Sequence, residues 1–141
     1  MFKPTVGPII GHTTTNHARI FLRGELQKDA LVFAGIRYRR TGDEHWSKGL
    51  FEKLTVLRDM SDVIALNNLA TDTDYEYQAG WFSPMSPVHT VETVQELPLQ
   101  WPREIYRFRT QSSKTTTPRA YIVGSCRYLR MTAGIASAPH L

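Results

Sequence analysis

Five histidines are the side chains of this sequence best suited to hold a metal or move a proton. His12 and His17 lie five residues apart across a polar turn, but a metal site needs a third converging ligand. That spacing at strand ends does not by itself aim two rings at one point, so without a nearby third ligand both are expected as exposed turn residues. His45, His89 and His140 stand isolated along the chain. Ser125 could act as the nucleophile of a Ser-His-Asp triad, since triads assemble across a fold. It lacks the glycine-flanked elbow that presents such a serine. Neither a phosphate loop nor a dinucleotide fingerprint is present. Tyr38, Tyr75, Tyr77, Trp81, Tyr106 and Phe108 offer rings on which sugars or bases stack, but their alternation with polar neighbours assigns them to a core.

The elements that would carry these residues are strands. In the stretch Leu69-Ala70-Thr71-Asp72-Thr73-Asp74-Tyr75, a leucine ends one strand, a polar turn follows and a tyrosine opens the next. Beyond it Tyr75, Tyr77, Ala79 and Trp81 share one parity, while Glu76, Gln78 and Gly80 share the other. This period of two is the mark of a half-buried strand. A tyrosine at such a corner lays its ring in the core and bonds its hydroxyl to backbone upstream, the tyrosine corner of immunoglobulin-like sandwiches.

Further strands are expected at 5–10, 17–24, 31–40 and 45–49, two more within 51–66, then 75–82 and 105–110. Gly7-Pro8 places the first at a sheet edge, because proline donates no ladder bond. Ala18, Ile20 and Leu22 point inward, as do Val32, Ala34, Ile36 and Tyr38, and later Ile64, Leu66 and Leu69. Leu50, Leu54 and Leu57 sit at helical spacing, but β-branched Thr55-Val56 and the missing cap favour strand there. Residues 83–103 form one long proline-containing loop, whose Val91, Val94, Leu97 and Trp101 imply that it folds back on something apolar. The fold class is all-β: a two-sheet antiparallel sandwich, immunoglobulin- or fibronectin type III-like, with a C-terminal extension.

Seventeen basic and thirteen acidic residues leave a formal charge of +4. Arg19, Arg23, Arg37, Arg39, Arg107 and Arg109 are scattered over strands and read as solvated faces; a nucleic-acid surface would interleave them with exposed aromatics in a groove. No nucleic-acid partner is expected. One cysteine excludes an internal disulfide and fits a reducing compartment. With no signal peptide and no apolar run of about twenty residues, the expectation is a cytoplasmic protein without a membrane contact.

The sequence divides into a sandwich at 1–111, a polar linker at 112–118 and a tail at 119–141. Tyr121-Ile122-Val123 is apolar without alternation, as in strands buried on both faces of an α/β layer, and it stops at Gly124-Ser125-Cys126. Such a strand would pair with its own downstream domain, with a sandwich edge, or with another chain; exchange between copies would give a homo-oligomer. Cys126, as a lone thiol ending an apolar strand, reads as a small buried hydrophobe.

Two resemblances follow. Leu69, Thr71, Thr73 and Tyr75 resemble the fibronectin type III corner, with threonine where that signature has proline. The opening Val6-Gly7-Pro8-Ile9-Ile10-Gly11-His12, the strand Ala18-Arg19-Ile20-Phe21-Leu22-Arg23-Gly24, then Phe108-Arg109-Thr110 and Tyr121-Ile122-Val123-Gly124-Ser125-Cys126-Arg127-Tyr128 resemble the amino-terminal part of the alkaline phosphatase D (PhoD-like) metallophosphoesterases. The resemblance implies a fibronectin-like domain ahead of a metal-dependent phosphatase and phosphodiesterase domain holding iron and calcium. It implies Cys126 as a thiolate ligand to that iron, with the other ligands downstream, so the chain would stop just after the first catalytic strand. No catalytic residue and no complete cofactor site are then expected within it. The alternative is a free-standing fibronectin-like module that binds a protein through loops or an edge strand.

Overall fold

The computed structural model describes residues 1–84 and 91–113. They form seven strands: β1 (Val6–Thr13), β2 (Ala18–Arg23), β3 (Val32–Arg40), β4 (Leu50–Leu54), β5 (Ser61–Leu66), β6 (Asp74–Phe82) and β7 (Tyr106–Arg109). A 3-10 turn, Val56–Arg58, separates β4 from β5, and a short helix α1, Val91–Gln95, sits in the long loop. The strands form a three-stranded sheet, β1-β2-β5, and a four-stranded sheet, β4-β3-β6-β7, with every pairing antiparallel. This is a two-layer β-sandwich of the fibronectin type III and immunoglobulin kind.

The alternating strands meet between the layers. Ala18, Ile20, Leu22, Ala34, Ile36 and Leu66 are wholly buried there, with Tyr75, Tyr77, Ala79 and Trp81 facing them. Each large apolar side chain so buried contributes about 1.5–3 kcal/mol. Tyr106 and Phe108 of β7 pack against the same cluster at its margin. Tyr75 stacks on Phe108, with ring centroids 5.4 Å apart. Its hydroxyl accepts the Ala70 N–H at 2.7 Å, which is the hydrogen bond expected of the corner. A second side chain bolts the same turn: Thr110 Oγ1 donates to the Ala70 carbonyl at 2.6 Å and accepts the Thr73 N–H at 2.9 Å.

Several boundaries differ from the sequence reading. No strand forms at 45–49; the partner of β3 is β4, which begins at Leu50. The expected turn at 11–16 is shorter, because β1 continues to Thr13 after irregularities in its register with β2. β1 does lie at a sheet edge, as Pro8 requires. Leu50 and Leu54 lie in the strand favoured there over a helix, while Leu57 falls in the 3-10 turn and is left in solvent.

The long loop folds back as its Val94, Leu97 and Trp101 implied, and it makes a second apolar cluster that the two-sheet reading did not contain. Phe33, Phe51, Phe82 and Val94 are buried on the outer face of the four-stranded sheet, packed by Met1, Leu31, Leu97, Leu99 and Trp101. The long loop therefore returns as a third layer, and β6 is buried on both faces. Gly80 permits that approach: a Cβ there would stand 2.8 Å from the Phe2 carbonyl and 2.9 Å from Pro102. Of the linker expected at 112–118, only Ser112 and Ser113 are described. The tail at 119–141 lies outside the described residues. Among the described residues no helix is long and apolar enough to cross a membrane.

Candidate functional site

The turn between β1 and β2 brings His12 and His17 together, with ring centroids 5.9 Å apart and planes inclined by 53°. Thr14 holds His17 from one side, its Oγ1 lying 2.9 Å from Nδ1. His45 is exposed in the loop before β4. Among the described residues no three histidine, cysteine, aspartate or glutamate side chains converge as a metal site would require. His89, Ser125, Cys126 and His140 lie outside the described residues, as do Tyr121, Ile122 and Val123.

The outer face of the four-stranded sheet holds the densest polar chemistry. Arg37 and Arg39 project from β3 on the solvent-side parity, opposite Gln78 and Glu76 of β6. Gln78 Oε1 accepts from Arg37 Nε at 2.9 Å and from Nη2 at 2.7 Å, while its Nε2 donates to the Pro102 carbonyl at 2.9 Å. Arg39 Nε donates to Glu76 Oε1 at 2.7 Å, and Arg107 approaches Glu76 Oε2 at 3.7 Å. Trp46 stacks on both guanidinium groups, 4.8 Å from that of Arg37 and 3.9 Å from that of Arg39. Trp101 lies 5.2 Å from the Arg37 guanidinium. Burial, and then the positive charge of Arg39, lower the Arg37 pKa. Reading these arginines as a solvated face is thus incorrect for Arg37 and Arg39: two loop tryptophans cover them, and neither tryptophan belongs to a periodic pattern. The arrangement is saturated with internal partners, and its chemistry is cohesion between loop and sheet.

The outer face of the three-stranded sheet is different. Ile9, Phe21 and Val63 stand directly opposite one another across β1, β2 and β5, forming one cross-strand row. Ile9 is 52% and Val63 37% exposed, and Phe21 is half-buried. Arg19 and Ala65, the neighbouring pair, are also exposed. No loop among the described residues covers this row as residues 94–102 cover the other sheet.

A second open region lies at the pole formed by the β2–β3 and β4–β5 connections. Leu26 is 59% exposed, Val56 66% and Leu57 98%. Leu26 and Val56 border an open cleft of ≈ 520 Å³ with Thr5, Arg23 and Met60. Arg23 is held there by Asp59, whose carbonyl and carboxylate accept from it at 3.0 and 3.3 Å. The described molecule thus offers two apolar surfaces and no assembled catalytic group.

No family model matches the chain, and no curated protein matches it. Among solved structures the chain is similar to a computationally redesigned β-sandwich protein, at 18% identity and a TM-score of 0.46, over 81% of this chain and 100% of that one. It is also similar to the sensor domain of the anti-sigma factor RsgI4 of Pseudobacteroides cellulosolvens, at 13% identity and a TM-score of 0.44, over 89% of this chain and 95% of that one.

Proposed function

We propose that the chain is the non-catalytic amino-terminal domain of a PhoD-like metal-dependent phosphatase or phosphodiesterase, and that the sandwich supports the catalytic domain that follows it. The observation that carries this reading is one of order along the chain. A sandwich closed by the Tyr75 corner is followed by the Phe108-Arg109-Thr110 strand end, a polar linker and the apolar run into Gly124-Ser125-Cys126-Arg127-Tyr128. The sheet surfaces carry contact chemistry, which suits a supporting role. Iron and calcium belong, on this reading, to the downstream domain. Cys126 would be one iron ligand among several, and no catalytic step is assigned to the residues described above.

The test is the coding sequence beyond Leu141. Segments such as Gly-Asp-x-x-Tyr and Gly-Asn-His are expected there, in some frame, and their absence would overturn the assignment. Purified residues 1–141 are expected not to hydrolyse p-nitrophenyl phosphate or its bis-ester with iron and calcium added. Metal-dependent turnover abolished by Cys126→Ser would refute the non-catalytic part. A second reading, a free-standing fibronectin-like module, is favoured by the exposed Leu26, Val56 and Leu57 at one pole, where loops cluster as in other sandwich binders.

A further inference from the structure

Ladder direction fixes which backbone groups of the three-stranded sheet are left outside it. The Thr5 N–H donates to the Arg23 carbonyl, and the Gly24 N–H donates to the Met60 carbonyl. Arg23 therefore turns its carbonyl toward β1 and Met60 turns its own toward β2, and alternation along each strand fixes the rest. Asp62, Ile64 and Leu66 face β2, while Ser61, Val63 and Ala65 turn their N–H and C=O groups to the outer edge of β5. On that edge the Val63 N–H is taken by the side chain of the residue before it: Asp62 Oδ1 accepts it at 2.7 Å. The same oxygen accepts from Arg58 Nη1 at 3.1 Å, and the Asp62 side chain is only 16% exposed. The carboxylate is thus clamped across the strand's own backbone.

The other three edges are closed by different means. β1 carries Pro8 and breaks register with β2 on either side of Ile9-Ile10. β7 is four residues long, with Arg107 and Arg109 exposed. Just before β4, the Gly49 carbonyl accepts from Gln95 Nε2 at 2.8 Å. Proline, bulges, short length, exposed charge and covering segments are how sheets avoid pairing with other chains. β5 pairs with β2 in unbroken register along all six of its residues, without proline, glycine or lysine. We propose that β5 is a strand-addition edge for a second copy of this chain, kept shut by Asp62. Two β5 strands set antiparallel about Val63 place Val63 opposite Val63, Ser61 opposite Ala65 and Asp62 opposite Ile64, so no like charges meet. Such a pairing is self-complementary, as a two-fold interface must be. It also joins the Ile9–Phe21–Val63 rows of the two copies end to end into one apolar stripe. The obstacle is the Asp62 carboxylate, seated on the N–H that the second copy's carbonyl must reach. The inference concerns the sandwich alone and does not rest on the phosphatase reading, which the downstream coding sequence tests separately.

Asp62→Ala opens the edge. Asp62→Asn is its control, because the amide oxygen still accepts the Val63 N–H with the charge gone. In residues 1–141 kept reduced, Asp62→Ala is expected to exchange the Val63 amide hydrogen at least about tenfold faster at low protein concentration. By sedimentation equilibrium it is expected to dimerise at least about tenfold more tightly than the unsubstituted chain. Asp62→Asn is expected to match the unsubstituted chain in both measurements. Adding Ala65→Pro removes a second edge-facing N–H without touching the ladder to β2, and is expected to abolish the gain in association. Unchanged exchange or unchanged association in folded Asp62→Ala would overturn the proposal. Equal dimerisation of Asp62→Asn would overturn it too, by making charge alone the barrier. If Asp62→Ala does not fold, Arg58→Ala, on a side chain 69% exposed, loosens the clamp and is expected to speed Val63 exchange by a smaller factor. No change in that variant would count equally against the gate.

Discussion

Tyr75→Phe removes one oxygen and nothing else, which makes it the sharpest probe of the corner. Tyr75 is 4% exposed and its ring remains stacked on Phe108 in the variant. Lost is the acceptor for the Ala70 N–H, 2.7 Å away on a half-buried turn. A donor left without its partner in such a place costs about 1–2 kcal/mol. For a domain of this size that corresponds to a fall in Tm of roughly 5–10 °C. Urea denaturation followed by tryptophan fluorescence should show a lower midpoint at unchanged slope, since the surface exposed on unfolding is the same. Thr110→Val removes the hydroxyl that holds the other side of the same residue, at the Ala70 carbonyl. The two substitutions share a partner residue, so the double variant should depart from additivity by about 0.5–1 kcal/mol. A loss below about 0.5 kcal/mol for Tyr75→Phe would place it with neutral surface changes and refute the corner as a fastening.

Arg39→Ala should cost about 2–3 kcal/mol, because Glu76, with its side chain 7% exposed, would keep only the longer Arg107 contact at 3.7 Å. Arg39→Lys should recover part of this but lose the stacking on Trp46; a cost under about 1 kcal/mol for Arg39→Ala by urea denaturation would contradict the described pairing. Tyr77 should ionise late, since burial and then the neighbouring Tyr106 push its pKa up to about 12. Its folded pKa lies above the unfolded value near 10, so the associated stability is complete below pH ~10 and is lost as pH rises through about 12. Ultraviolet titration of the phenolates should show one late component that disappears in Tyr77→Phe.

What could be read from the sequence was whatever depended on period two. Parity alone placed Ala18, Ile20 and Leu22, then Tyr75, Tyr77 and Trp81, between the layers, and the Leu69 to Tyr75 spacing located the corner. Parity is silent about what covers the opposite face. Phe33, Phe51 and Phe82 lie on the parity facing away from the space between the sheets, and they are buried because a distant loop returns to them. Arg37 and Arg39 read as solvated for the same reason: Trp46 and Trp101, which shield them, sit in irregular segments, and the apolar residues of the loop imply a fold-back without naming the face it covers. The β4 boundary shifted because His45-Trp46-Ser47 has strand-like composition, while Ser47 is tied sideways to Tyr38 by its backbone and its hydroxyl. The Ile9–Phe21–Val63 row needed register between strands far apart in sequence, and only coordinates supply that.

The returning loop also decides where this scaffold can be re-engineered. A connection that would be the natural place to graft a foreign peptide is here cemented by Val94, Leu97 and Trp101 to the sheet beneath it, so randomising it would strip the domain of part of its interior. Diversity is better introduced at the opposite sort of position, around Leu26 and Val56–Leu57, whose side chains already stand in water and whose replacement asks nothing of their neighbours.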